Sequence, residues 1–183
     1  MQPFTTDLIN SNRAIFRYDL VWNKKICTNF VNAKKMPLRQ HEIILVFYQK
    51  NKYNPQPYKD RTTKERFGRI NREGIACYGN IIRAGDCVEI GYTRTIMEYR
   101  GIINLDKEER IHPSQKPIKL IQELIKMYSN EFDIILDCFA GSGTTGIACL
   151  ELNRNYILIE KEKKYVDLIN ERIDRYNQQL KLF

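Results

Sequence analysis

The 183-residue chain has no apolar run near the roughly eighteen residues a membrane-crossing helix needs, and no signal peptide opens it. Its five cysteines, Cys27, Cys77, Cys87, Cys138 and Cys149, show no paired short spacing. That argues against a zinc site and a disulfide framework, and a reducing cytoplasm is the simplest setting. Histidine is scarce, and His112 has no partner at metal-ligand spacing, so no metal is expected. Internal repeats and low-complexity linkers are also lacking. A phosphate-cradling loop of the nucleotide triphosphatases would follow its last glycine with Lys and then Ser or Thr, whereas Ile147 and Ala148 follow Gly146. With 43% apolar residues, there is material for about one soluble domain with its own core.

Charge is spread unevenly along the chain. Residues 1–69 hold 14 Lys and Arg against 5 Asp and Glu, whereas residues 70–183 hold 16 against 17. The basic part should face a polyanion. Phe30, Phe47, Tyr48, Tyr53, Tyr58 and Phe67 interleave with its cations and favour nucleic acid over a membrane surface. A merely solvated basic face is the plainer alternative.

Residues 18–22 and 43–48 read as strands. Between them, residues 23–40 form a loop of about 18 residues, long for a compact domain and therefore expected to be functional. From 53 to 110 periodicity is poor, glycines recur at 68, 74, 79, 85, 91 and 101, and cations punctuate the run. An amphipathic helix follows Pro117, with Ile118, Ile121, Leu124, Ile125 and Tyr128 on one face. The last helix, residues 163–180, carries a core stripe of Tyr165, Leu168, Ile169, Ile173 and Tyr176.

The most informative stretch is Ile134-Ile-Leu-Asp137-Cys-Phe-Ala-Gly141-Ser-Gly143-Thr-Thr-Gly146. Its apolar start predicts a fully buried parallel strand ending in an acid. Gly141 and Gly143 allow a tight turn that brings backbone N–H groups to a ligand at the N-terminus of a helix over 144–152. Glycine spacing alone also fits a dinucleotide fingerprint. Against an oxidoreductase, Asp137 ends its strand four residues ahead of Gly141, where an acid suits a ligand with a cationic amine. A second strand, residues 156–159, ends in Glu160, placed to accept hydrogen bonds from ribose hydroxyls.

With His112-Pro-Ser-Gln-Lys-Pro117, the Asp137-Cys-Phe-Ala-Gly-Ser-Gly143 loop, Glu160, Tyr18-Asp-Leu-Val-Trp22 and Asn32-Ala-Lys-Lys-Met-Pro-Leu-Arg39, the chain resembles the S-adenosylmethionine-dependent DNA amino-methyltransferases whose cofactor loop lies near the C-terminus, in particular phage and prophage adenine methylases. The resemblance implies an α/β fold built on a Rossmann-like methyltransferase sheet with a target-recognition insert. By the same resemblance, residues 1–52 are the C-terminal side of the catalytic sheet with a basic cleft loop, 53–110 the insert and 111–183 the cofactor-binding region. It implies S-adenosylmethionine contacts from Asp137, Phe139, Gly141, Gly143, Glu160, Ser114 and Lys116. Contacts to double-stranded DNA would come from Asn29, Lys34, Lys35, Arg39, Arg61, Lys64 and Arg66, in a bacterial or phage-infected cytoplasm.

The family's Asp/Asn/Ser-Pro-Pro-Tyr/Trp/Phe tetrapeptide, which orients the amine and stacks on the flipped base, does not occur here. Asn54-Pro-Gln-Pro-Tyr58 carries an extra residue between its prolines. No residue is therefore assigned a catalytic role. The expectation is an incomplete sheet, lacking two central strands encoded upstream of Met1, in a chain inactive alone or completed by a separate polypeptide. A non-catalytic DNA-binding or cofactor-sensing module and a cytosine-N4 methyltransferase fragment stay open beside the adenine reading.

Overall fold

The computed structural model describes residues 2–28, 30–50, 52–58, 91–102 and 112–180. The chain forms two compact units, Met1–Asn54 with Thr95–Phe183, and Pro55–Arg94. Helix α1 spans Phe4–Ser11, β1 spans Phe16–Thr28 and β2 spans Arg39–Phe47. In the smaller unit, β3 (Pro57–Tyr58) pairs antiparallel with β4 (Gly91–Tyr92). The larger unit continues with β5 (Ile96–Glu98), α2 (Ile118–Tyr128), β6 (Ile134–Asp137), α3 (Thr144–Glu151), β7 (Asn155–Leu158) and α4 (Lys163–Leu180). None of these helices is long and apolar enough to cross a membrane.

Two separate sheets make up the larger unit among the described residues. One has the order β2-β1-β5, the other is the parallel pair β6-β7. The expected structureless stretch over 23–40 is strand at both of its ends: β1 runs on to Thr28 and β2 begins at Arg39. The ladder resumes at Thr28↔Arg39 after an irregularity that follows Asn23. Lys25, with φ 54, absorbs it, and the Thr28 hydroxyl donates to the Arg39 carbonyl at 3.1 Å. A bulge of this kind hides a strand from a strict two-residue alternation.

Helix α2 reaches both hydrophobic clusters. Its Leu120 and Met127 pack with Leu20, Trp22, Val46 and Met97, and its Ile125 packs with Ala148 and Cys149 of α3. Asn54, inside the motif with the extra residue, ties off the end of α2: its backbone N–H donates to the Met127 carbonyl at 2.7 Å and its Nδ2 to the Ser129 carbonyl at 2.9 Å. That satisfies carbonyls a helix end leaves without partners. On α4, Ile169 is buried, while Tyr165, Leu168, Ile173 and Tyr176 are half-buried.

The β6 strand departs from the full burial its apolar run predicts. Ile135 and Asp137 turn inward, but Ile134 and Leu136 on the other face stay exposed, as does Ile157 on β7. A parallel strand reads as continuously apolar when both of its faces are meant to be covered, and only one is covered here.

Candidate functional site

In the β6-β7 pair Asp137 lies opposite Leu158, so the two parallel strands finish on the same edge, where an open α/β sheet receives ligands. The chain leaves that edge by a turn: the Ile159 N–H donates to the Asp137 carbonyl at 2.8 Å and the Ala140 N–H to the Ile159 carbonyl at 3.0 Å. Gly141 and Gly143 then take φ 52 and φ 71, in the left-handed region that side chains with a Cβ resist. Gly143 is the N-cap of α3 and offers no side-chain cap, so backbone donors at this helix start have no capping oxygen from the residue before them.

Both strand-tip acids are fixed by this turn. Asp137 accepts the Phe139 N–H on Oδ1 at 3.0 Å and the Thr145 hydroxyl on Oδ2 at 2.6 Å. Glu160 accepts the Glu162 N–H on Oε1 at 3.0 Å and the Gly141 N–H on Oε2 at 2.8 Å. The Glu162 and Gly141 amides, with lesser help from Lys161 and His112, hold the Glu160 carboxyl below the ordinary glutamate range. Each carboxylate oxygen keeps a further lone pair for a ligand donor. Phe139, on the tip of the turn, is 91% exposed and presents a ring face to solvent.

The segment before α2 leans on the same turn. A Cβ built on Gly141 would lie 3.5 Å from the His112 ring, which also meets Tyr165 of α4 edge-on, with centroids 4.4 Å apart. His112 Nδ1 accepts the Ser114 N–H at 3.2 Å and pairs with the Ser114 hydroxyl at 2.9 Å. Lys116 points elsewhere: its ammonium is 2.9 Å from Glu42 of β2 and 5.4 Å from the Trp22 ring centroid. Lys24 joins the same carboxylate at 3.5 Å. Burial pushes the Glu42 carboxyl up, but the hydrogen bond and charge of Lys116, then of Lys24, outweigh it and leave the pKa lowered.

One loop thus gathers Asp137, Phe139, Gly141, Gly143 and Glu160, and Ser114 adjoins it through His112. Lys34 and Lys35 are exposed beyond the end of β1, and Arg39 opens β2 half-buried. Asn29, Arg61, Lys64 and Arg66 lie outside the described residues. Two contributors escaped the sequence reading. Thr145 orients Asp137, and a hydroxyl in the first turn of the helix behind a strand-tip acid was the available signal. Arg172 of α4 donates to the Ser142 carbonyl at 2.9 Å and to the Thr144 hydroxyl at 3.3 Å, from 30 and 28 residues away, with no local signal. Between α2 and β6 lies an apolar cleft of about 260 Å³, lined by Ile121, Leu124 and Leu136 among others, with Asp137 and Thr145 on its wall.

Residues 4–171 match the N6/N4 methyltransferase family, described as DNA methylase, and the chain belongs to that family. It is 40% identical over 79 residues to the type II methyltransferase M.HpaI of Haemophilus parainfluenzae, covering 43% of this chain and 25% of that protein. To M.BglI of Bacillus subtilis it is 46% identical over 65 residues, covering 36% of this chain and 19% of that one. These alignments span about a quarter or less of either relative. Among solved structures, the M1.HpyAVI complex with S-adenosylmethionine superposes with TM-score 0.62 at 24% identity, over 94% of this chain and 71% of that one. The cytosine-N4-specific PvuII DNA methyltransferase gives 0.58 at 18% identity, over 91% of this chain and 55% of that one. At those identities the likeness is one of fold.

Proposed function

We propose that this chain is the C-terminal, S-adenosylmethionine-binding part of a site-specific DNA adenine-N6 methyltransferase. The observation that carries the reading is the pair of acids, Asp137 and Glu160, fixed at adjacent parallel strand ends around a left-handed glycine turn. The donor set fits the cofactor: two carboxylates suit a cationic amine and ribose hydroxyls, and glycines without Cβ let the backbone approach closely. Asp137, held by Thr145, and Glu160, held by the amides of Gly141 and Glu162, would anchor the polar groups, and Phe139 would cover an aromatic face. Bound S-adenosylmethionine supplies an electrophilic methyl group on a sulfonium. That methyl group would pass to the exocyclic amine of a flipped base, and Asp137, Glu160 and Phe139 would serve the transfer by holding the donor in position.

The adenine assignment follows the resemblance carried together by the His112–Pro117 and Asp137–Gly143 segments, Glu160, and residues 18–22 and 32–39. Residues 1–183 hold no Pro-Pro tetrapeptide to orient that amine, so we propose that methyl transfer needs such a segment, in the same polypeptide or a separate one. Calorimetry on residues 1–183 should detect S-adenosylmethionine binding, weakened by about 1 to 3 kcal/mol in Asp137→Ala and weakened also in Glu160→Ala. Labelled methyl should reach DNA only once a polypeptide carrying the tetrapeptide is supplied, and nucleoside analysis should then find N6-methyladenine. Wild-type affinity in both variants, or preferential binding of a dinucleotide, would sink the cofactor assignment. N4-methylcytosine would move the chain to the cytosine branch.

A further inference from the structure

The β1-β2 hairpin outruns its sheet. β5 pairs only with Val21, Trp22 and Asn23, whereas β1 continues to Thr28 and meets β2 again at Arg39. Beyond Thr28 the chain winds a 3-10 turn over Phe30–Asn32. The Ala33 N–H donates to the Phe30 carbonyl at 3.0 Å and the Lys35 N–H to the Asn32 carbonyl at 2.8 Å, so the tip is built by its own backbone. That turn faces its apolar side chains outward: Phe30 is 66% exposed and Val31 96%. Lys34 and Lys35, also exposed, follow directly.

Two adjacent apolar side chains on a hydrogen-bonded tip, followed by two cations, match a partner that is apolar within and anionic at its edge. A membrane surface calls for a broad apolar helix face, and this tip offers a single turn. A base step in duplex DNA has the smaller dimensions, with aromatic faces inside and phosphates on either side. We propose that Phe30 and Val31 form a wedge that enters duplex DNA where a base is extruded, while Lys34 and Lys35 hold the neighbouring phosphates. This rests on the DNA-methyltransferase reading above.

The test uses the full 183-residue chain and two duplexes of equal length, one fully paired and one with a single mismatch, where unstacking costs less. Fluorescence anisotropy should show tighter binding to the mismatched duplex. The double substitution Phe30→Ser with Val31→Ser should lose about tenfold on that duplex, the worth of one aromatic–base stack, and leave the paired duplex and its salt dependence unchanged. Lys34→Gln with Lys35→Gln should instead weaken both duplexes and lower the salt slope by about two. Equal binding of the two duplexes by the wild type, or an unchanged preference in a wedge variant with a native circular dichroism spectrum, overturns the wedge and leaves the DNA reading standing. Binding to neither duplex at low salt overturns the DNA reading itself. Wedge-dependent binding to phosphatidylglycerol vesicles without mismatch preference would assign the tip to a membrane surface and overturn the proposal.

Discussion

Both oxygens of Asp137 and both oxygens of Glu160 are engaged within one turn, so these residues are held in place before any ligand arrives. Preorganisation of this kind lowers the ordering cost of binding. It also makes the turn acid-sensitive. The Glu160 pKa is lowered in the folded chain, first by the Glu162 amide and then by Gly141. A depressed carboxyl contributes stability that is fully present above its unfolded value of about 4.3 and is lost as pH falls through the lower folded value. Thermal unfolding followed from pH 7 down to about pH 3 should therefore show a loss of stability that begins near the ordinary glutamate range and is smaller in Glu160→Gln. Identical pH profiles for the two proteins would mean that the Gly141 and Glu162 bonds do not discriminate the ionised form. The acids themselves were legible as strand-tip residues; their amide partners were not, because those bonds depend on the path of the turn.

Among the elements, the turn into α3 shows why Gly141, Gly143 and Gly146 are not equivalent. Gly143 sits at φ 71, and a Cβ there would lie 3.0 Å from Ile169 Cγ1 of α4. A Cβ on Gly146 would come within 2.8 Å of Leu158 Cδ1 on β7, the mobile end of an unbranched-at-Cβ side chain. The first site combines left-handed strain with a β-branched neighbour, and the second needs only a rotamer shift. Gly143→Ala should cost about 2 to 3 kcal/mol and Gly146→Ala about 1 kcal/mol, measured by urea denaturation. The reverse order would show that packing of α3 on β7, and not the turn, limits the element. Spacing in the sequence marked Gly141, Gly143 and Gly146 alike, whereas the neighbours that separate their roles come from α4 and β7.

At the scale of the larger unit, α2 belongs to both clusters, so the two sheets should not unfold independently. Trp22, the single tryptophan, is buried in the first cluster with its Nε1 donating to the Tyr99 carbonyl at 2.6 Å, and it reports on the β1 sheet. Ile125 packs in the second cluster against Ala148 and Cys149, where burial pushes the Cys149 thiol up to about 11. Ile125→Ala should destabilise by about 2 to 5 kcal/mol, and the Trp22 fluorescence transition should shift together with the circular dichroism transition. A Trp22 transition that stays in place while circular dichroism moves would show that α2 does not couple the clusters.

Local chemistry made much of this protein readable from the chain alone. The apolar run into Asp137, the glycine turn, the second strand before Glu160 and the stripes of α2 and α4 each announce themselves within a few residues, because backbone conformation and helical or strand period are short-range properties. The sequence also determined the family resemblance and the basic bias of residues 1–69. Tertiary structure alone decided the rest. It carried β1 through a bulge to Thr28, exposed one face of β6, sent Lys116 to Glu42 and Trp22, and brought Arg172 to the carbonyl of Ser142. Those outcomes depend on which surfaces meet across long separations in the chain, and burial, register and ion pairing are fixed only when the elements pack.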